Sequence, residues 1–216
     1  MKKKIAVVLS GSGVFDGSEI HEATLTLLAI ARQGAGYECF APDVDQAHVI
    51  NHLTGETMPE SRNVLVESAR IARGNIKALS SFEAAHYDAL VFPGGFGVAK
   101  NLCSFAFDGV DCKVNAEVRR AIINTHALTK PIGALCISPV LITRVLAGAE
   151  VTIGSDAETA QAIVQMAGKH VDTTHGEVVV DAHRKIVTTP CYMLNASIDQ
   201  IADGAENLVR TVLALT

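Results

Sequence analysis

One cysteine stands where a nucleophile would. In Lys130-Pro-Ile-Gly-Ala-Leu-Cys136-Ile-Ser-Pro139 an apolar run ends at a Cys, and helical sequence begins at the next residue. A strand that turns sharply into a helix at a reactive side chain is a nucleophile elbow, which needs small residues two before and two after it. Ala134 and Ser138 meet that need. A helix start also favours thiolate over thiol, because its free N–H groups and dipole stabilise negative charge. Cys136 is therefore the candidate nucleophile, set against the alternative of a small buried hydrophobe.

Two further groups fit the same chemistry. Val91-Phe-Pro93-Gly94-Gly95-Phe96-Gly97 follows a buried run and supplies backbone that can turn sharply and present N–H groups. The Gly95 and Ile137 N–H groups are candidate oxyanion donors beside the sulfur. Glu19 and Glu22 fall in the first turn of another helix, where a carboxyl group could exchange a proton with a thiol. Glu19 is better read as a helix-start residue opposing the dipole.

These residues need a frame that brings them to one edge. Short β-branched runs alternate with longer stretches of helical period, the pattern of βαβ units and a parallel sheet. Strands are expected at 5–9, 37–41, 88–92, 131–135 and 151–153, and an antiparallel hairpin at 178–189. Helices are expected at about 19–33, 61–73, 113–128, 137–147, 156–167 and 195–215. The weakly patterned stretch from Asp43 to Glu60 reads as an excursion from the core. No internal repeat or linker divides residues 1–216, so one α/β domain is expected, layered helix–sheet–helix, with ligands at the carboxyl ends of the strands.

Composition narrows the class. Of 216 residues, 49% are hydrophobic and only 5% aromatic, which implies an aliphatic core. A net charge of −5, with no basic tract beyond Lys2-Lys3-Lys4, leaves a nucleic-acid binder without its electrostatic footprint. No segment approaches the ~20 apolar residues of a membrane span. Five cysteines without regular spacing argue for a reducing compartment, read as the cytoplasm. Gly11-Ser-Gly13-Val-Phe-Asp-Gly17 places its third Gly one residue late for a dinucleotide fingerprint. His48 and His52 lack the Glu of a metalloprotease helix, and His175 precedes a hairpin strand, so it reads as an exposed turn. Cys103 and Cys112 flank a loop and read as exposed thiols.

Taken together, Glu19-Ile-His-Glu22, Pro93-Gly94-Gly95-Phe96-Gly97 and Gly133-Ala-Leu-Cys136-Ile-Ser-Pro139 resemble the class I glutamine-amidotransferase-like superfamily. Within it they look most like the Parkinsonism-associated deglycase and PfpI branch. Ser10-Gly-Ser-Gly-Val-Phe-Asp-Gly-Ser-Glu-Ile-His-Glu22, Val49-Ile-Asn-His-Leu-Thr-Gly-Glu56, Ser61-Arg-Asn-Val-Leu65 and Ile186-Val-Thr-Thr-Pro-Cys-Tyr-Met-Leu194 resemble the bacterial ElbB proteins, which are isoprenoid-biosynthesis-associated and glyoxalase-like. The resemblance runs nearly end to end.

It implies a flavodoxin-like three-layer sandwich, commonly a homodimer, that needs no cofactor and no metal. It implies glyoxalase III-like lyase chemistry on small dicarbonyls, glyoxal or methylglyoxal plus water giving glycolate or lactate through a Cys hemithioacetal. Cys136 then matches the nucleophile, Glu22 the partner acid, and Gly95 and Ile137 the oxyanion donors. The chain departs from the pattern at one point. PfpI-type members carry a His after the Cys, where this chain has Ile137, and deglycase-type members carry one at the end of the next strand, where it has Gly154. Only Glu22 remains to move the proton, and weak turnover is expected. Cys191, in the loop before the last helix, is a possible site neighbour. The rival readings are a redox-responsive Cys136 and a noncatalytic binding protein whose 43–60 excursion makes the contacts, either of them linked to isoprenoid metabolism.

Overall fold

Alternation along the strands decides the layers. In the computed structural model, which describes residues 2–216, β1 (Lys4–Val8) sends Ala6 and Val8 to one face and Ile5 and Val7 to the other. β4 (Ala89–Phe92) divides likewise, Leu90 and Phe92 from Val91. A strand apolar on both sides must be covered on both sides. Helices α1 (Ile20–Arg32) and α7 (Ile198–Ala214) close one face with Ala23, Leu27, Ile30, Leu208 and Val212. On the other, α4 (Ala116–Ala127) and α5 (Pro139–Val145) contribute Val118, Ile122, Val140 and Leu141.

The central sheet has seven strands in the order β3-β2-β1-β4-β5-β9-β8. The others are β2 (Gly36–Ala41), β3 (Ile76–Ala78), β5 (Ile132–Leu135), β8 (Val179–Asp181) and β9 (Ile186–Thr189). All pairings are parallel except β8 with β9. This is the flavodoxin-like α/β sandwich expected from the sequence.

Four details differ from the sequence reading. The hairpin is the edge of the main sheet, because β9 also pairs in parallel with β5. The strand expected at 151–153 shortens to β6 (Glu150–Val151) and pairs with β7 (Lys169–His170) in a separate two-stranded sheet. The short strands β3 and β7 were too brief to show a period. The 43–60 excursion folds back on the loop after β1: the Ile50 N–H donates to Asp16 Oδ2 at 2.8 Å, and the His52 ring lies 5.0 Å from that of Phe15. Helices α2 (Val64–Ile71), α3 (Phe105–Asp108) and α6 (Ala157–Gln165) complete the chain. Among the described residues, no helix is long and apolar enough to cross a membrane.

Candidate functional site

Strands β1, β4, β5 and β9 all end at one edge of the sheet, and each releases a loop that carries part of the site. β5 delivers Cys136 with φ +58°, a left-handed conformation that non-glycine residues seldom adopt. The Cys136 N–H donates to the Thr189 carbonyl at 3.0 Å, and the Ser138 N–H to the Leu135 carbonyl at 2.9 Å. The Ser138 hydroxyl donates to the Pro93 carbonyl at 2.8 Å and ties the elbow to the loop after β4. Spacing predicted a small residue at 138; its tie to Pro93 needed the fold.

Glu22 is fully buried in the first turn of α1. Its Oε2 accepts the Gly94 N–H and its Oε1 the Tyr192 N–H, each at 3.0 Å, and the Cys136 thiol hydrogen-bonds the same carboxyl group. Burial pushes Glu22 up to about 8, against the pull of the Tyr192 N–H and with help from the charge of Glu19. Glu19 caps the helix as expected, accepting the Glu22 N–H at 2.7 Å.

The sulfur has its own donors. The N–H groups of Gly95 and Ile137 both hydrogen-bond Cys136, favouring its charged form. Burial and then the Glu22 charge outweigh them and hold the thiol well above its ordinary range. The thiolate expected from a helix start is therefore corrected to a neutral thiol at rest. Helix α5 begins only at Pro139, and the dipole is too distant to overcome burial beside a carboxyl group.

Two glycines make this approach possible. A Cβ on Gly94 would stand 2.3 Å from the Cys136 Cβ and 2.4 Å from Glu22 Oε2. Gly95 has φ +103°, and a Cβ there would meet the Glu19 backbone nitrogen at 2.3 Å.

Above the sulfur lies a cavity of about 320 Å³, walled by Val14, Phe96, Phe105, Ala106, Tyr192 and Met193 over Gly95 and Ile137. Cys191 is buried with φ +42°, and its thiol is raised by burial and then by the charges of Glu22 and Cys136, which makes it a neighbour of the pair. No His lines the cavity. The place at Gly154 is filled: a Cβ there would meet Leu194 Cδ2 at 2.8 Å. Cys103 and Cys112, expected as exposed thiols, are both buried, and the Cys103 thiol donates to the Val98 carbonyl at 3.4 Å.

No protein-family model matches the chain. Over 223 residues it is 51% identical to the human glutamine amidotransferase-like class 1 domain-containing protein 3, mitochondrial, covering 99% of this chain and 83% of that protein. The chain belongs to the glutamine amidotransferase-like class 1 family. Another member, the mitochondrial ES1 protein homolog of Rattus norvegicus, is 49% identical over 225 residues, with 100% of this chain and 85% of that protein covered. The crystal structure of an isoprenoid biosynthesis protein with an amidotransferase-like domain from Ehrlichia chaffeensis superposes with a TM-score of 0.93 at 38% identity, covering 99% of each chain. Glyoxalase III from Candida albicans shares the fold at 14% identity, with a TM-score of 0.65 over 99% of this chain and 97% of that one.

Membership supports the superfamily resemblance read from the motifs. It overturns the expected cytoplasmic location, since the curated relatives are named mitochondrial. Five cysteines that form no disulfide do not distinguish one compartment from the other. Sequence reasoning also missed the part played by Gly94 and Tyr192, which hold Glu22 through their backbone N–H groups. No side-chain signal marks a residue that acts through its main chain.

Proposed function

We propose that the protein is a cofactor-independent glyoxalase III-like lyase that converts glyoxal or methylglyoxal and water to glycolate or lactate. One observation carries the reading: the Cys136 thiol, the Glu22 carboxyl group and the N–H groups of Gly95 and Ile137 converge beneath one cavity. The shared fold with glyoxalase III agrees with it.

In this scheme the Cys136 sulfur bonds to the aldehyde carbon. Its proton passes through Glu22 to the carbonyl oxygen, giving a hemithioacetal. Glu22, entering as a carboxylate, then takes the hydrogen of the former aldehyde carbon as a proton to leave an enediol, and returns it to the neighbouring carbon while the first carbon's hydroxyl proton passes to the neighbouring oxygen. One carbon is oxidised by the pair of electrons that reduces the other, so no outside oxidant is required. Water cleaves the resulting thioester to the 2-hydroxy acid and regenerates the thiol. Gly95 and Ile137 donate to the negative charge as it moves from sulfur to oxygen.

Burial and a raised thiol weigh against the redox reading, because oxidation-sensing cysteines are exposed and acidic. The test is lactate formation from methylglyoxal. Wild type forms it, Cys136→Ala forms none above background, and Glu22→Gln loses at least a hundredfold, within the range of general acid–base catalysis. Equal rates in wild type and Cys136→Ala would overturn the proposal.

A further inference from the structure

The cavity is larger and more apolar than glyoxal requires. A two-carbon dialdehyde displaces two or three waters, roughly 60–90 Å³ at ~30 Å³ per water. The space above Cys136 is about 320 Å³, which reaches the range of cavities that hold whole ligands, roughly 300–1,000 Å³. Its walls are mostly hydrocarbon: Val14, Phe96, Phe105, Ala106 and Met193. Phe105 and Ala106 also border a second cavity of about 410 Å³ that runs along α6 to Gln161 and Gln165. A substituent leaving the first chamber therefore has somewhere to go.

Charge sorts what enters. The lining carries two carboxyl side chains, Glu19 and Glu158, and neither Lys nor Arg. Lys100 is the cation beside Phe96, its Nζ lying 5.7 Å from the ring centroid, but it donates to the Phe15 carbonyl at 2.9 Å. A carboxylate or phosphate on the substrate would face like charges with no counter-ion, at a cost that favours exclusion.

Resting on the dicarbonyl reading above, we infer that the preferred substrates are uncharged 2-oxoaldehydes carrying a bulky apolar substituent, in place of glyoxal itself or any anionic aldehyde. The aldehyde carbon sits at the Cys136 sulfur, and the substituent lies against Phe96, Phe105 and Met193. Burial of each added methylene is worth about fourfold in affinity.

The experiment compares kcat/KM for glyoxal, methylglyoxal, phenylglyoxal and its anionic analogue 4-carboxyphenylglyoxal. Phenylglyoxal is expected to exceed glyoxal by roughly tenfold or more, as hydrophobic pockets discriminate, and to exceed 4-carboxyphenylglyoxal by at least as much. Ala106→Trp, placed at an exposed rim position where folding is spared, lowers the phenylglyoxal-to-glyoxal ratio at least tenfold. Glyoxal as the fastest substrate, or 4-carboxyphenylglyoxal turned over as fast as phenylglyoxal, overturns the inference. A second readout needs no turnover: Cys136 alkylation at pH 9 by N-phenyliodoacetamide and by iodoacetate, followed by mass spectrometry. Faster labelling by the phenyl reagent with no dicarbonyl turnover keeps the cavity's preference and sinks the glyoxalase reading. Equal labelling by the two reagents sinks the preference.

Discussion

Glu22 and Cys136 come from opposite ends of the sheet's connectivity, α1 and the turn after β5, and their side chains meet over Gly94, the position with no side chain of its own. Each is raised chiefly by burial; the Glu22 charge makes ionisation of the thiol harder still, whereas the thiol's hydrogen bond eases that of Glu22. The pair therefore rests neutral, a carboxylic acid against a thiol, and the first proton lost leaves Glu22 while the other stays between oxygen and sulfur. Coupled groups of this kind titrate as a unit.

Gly94→Ala should break that meeting. The added methyl would overlap both the Cys136 Cβ and Glu22 Oε2 by well over 0.5 Å relative to ordinary contact at about 3.5 Å. Neither neighbour is free to move, since Glu22 is held by the Gly94 and Tyr192 N–H groups and Cys136 by the Thr189 carbonyl. Expected are a hundredfold or greater loss of dicarbonyl turnover and about 1–3 kcal/mol of lost stability in urea unfolding, the usual cost of overpacking. Wild-type turnover in a folded Gly94→Ala protein would contradict the geometry.

The pH–rate profile should carry the pair's signature. Nucleophilic attack needs one proton removed from Cys136 and Glu22 together, and burial holds Glu22 at about 8. Turnover should climb about tenfold per pH unit on the acid side and level near pH 8. A flat profile from pH 5 to 8 would mean that an ordinary carboxylate, already ionised, is at work.

The strands were legible because their apolar residues alternate between two covered faces, as Ile5 and Ala6 do. Cys136 was legible because a chain with small residues on both sides of a strand-end thiol has few other uses. Glu22 was separable from Glu19 only by its resemblance, since both acidic residues suit a helix start. What stayed hidden acts through space or through the main chain. Ser138 reaches Pro93 across 45 residues, and Tyr192 reaches Glu22 across 170. The resting state of the sulfur was misjudged because dipole stabilisation can be read from sequence order, whereas burial beside Glu22 depends on tertiary packing.

Ser138→Ala isolates the tie between the elbow and the glycine loop. It deletes one buried hydrogen bond, 2.8 Å to the Pro93 carbonyl, and leaves that acceptor unpaired. Loss of about 1–3 kcal/mol is expected, read as a drop of roughly 2–12 °C in Tm for a chain of this size. Turnover should fall further than stability accounts for at 25 °C, because Pro93 adjoins Gly94. Ser138→Thr keeps the hydroxyl and should restore much of the activity. Equal activity in the Ala and Thr variants would show that the tie does not position the site.

Stability itself should decline as pH rises through neutrality, in a way traceable to Glu22. The folded chain holds the Glu22 proton up to about 8, whereas an ordinary glutamate releases it near 4.5. Between these values unfolding releases a proton, so the unfolded state binds fewer, and stability falls with increasing pH by about 1.4 kcal/mol per unit at most. Below 4.5 the contribution is complete, and above 8 it is gone. Glu38, held near 2 by Lys4 and Lys77 despite its partial burial, changes its contribution only at lower pH. His170, whose pKa is lowered by burial, acts in the opposite sense within part of the window, but it does so equally in any Glu22 variant. The difference between wild type and Glu22→Gln therefore isolates the carboxyl group. Urea midpoints at pH 5.5, 6.5 and 7.5 should fall more steeply for wild type than for Glu22→Gln; parallel lines would mean that Glu22 is ionised throughout and that the neutral pair does not exist.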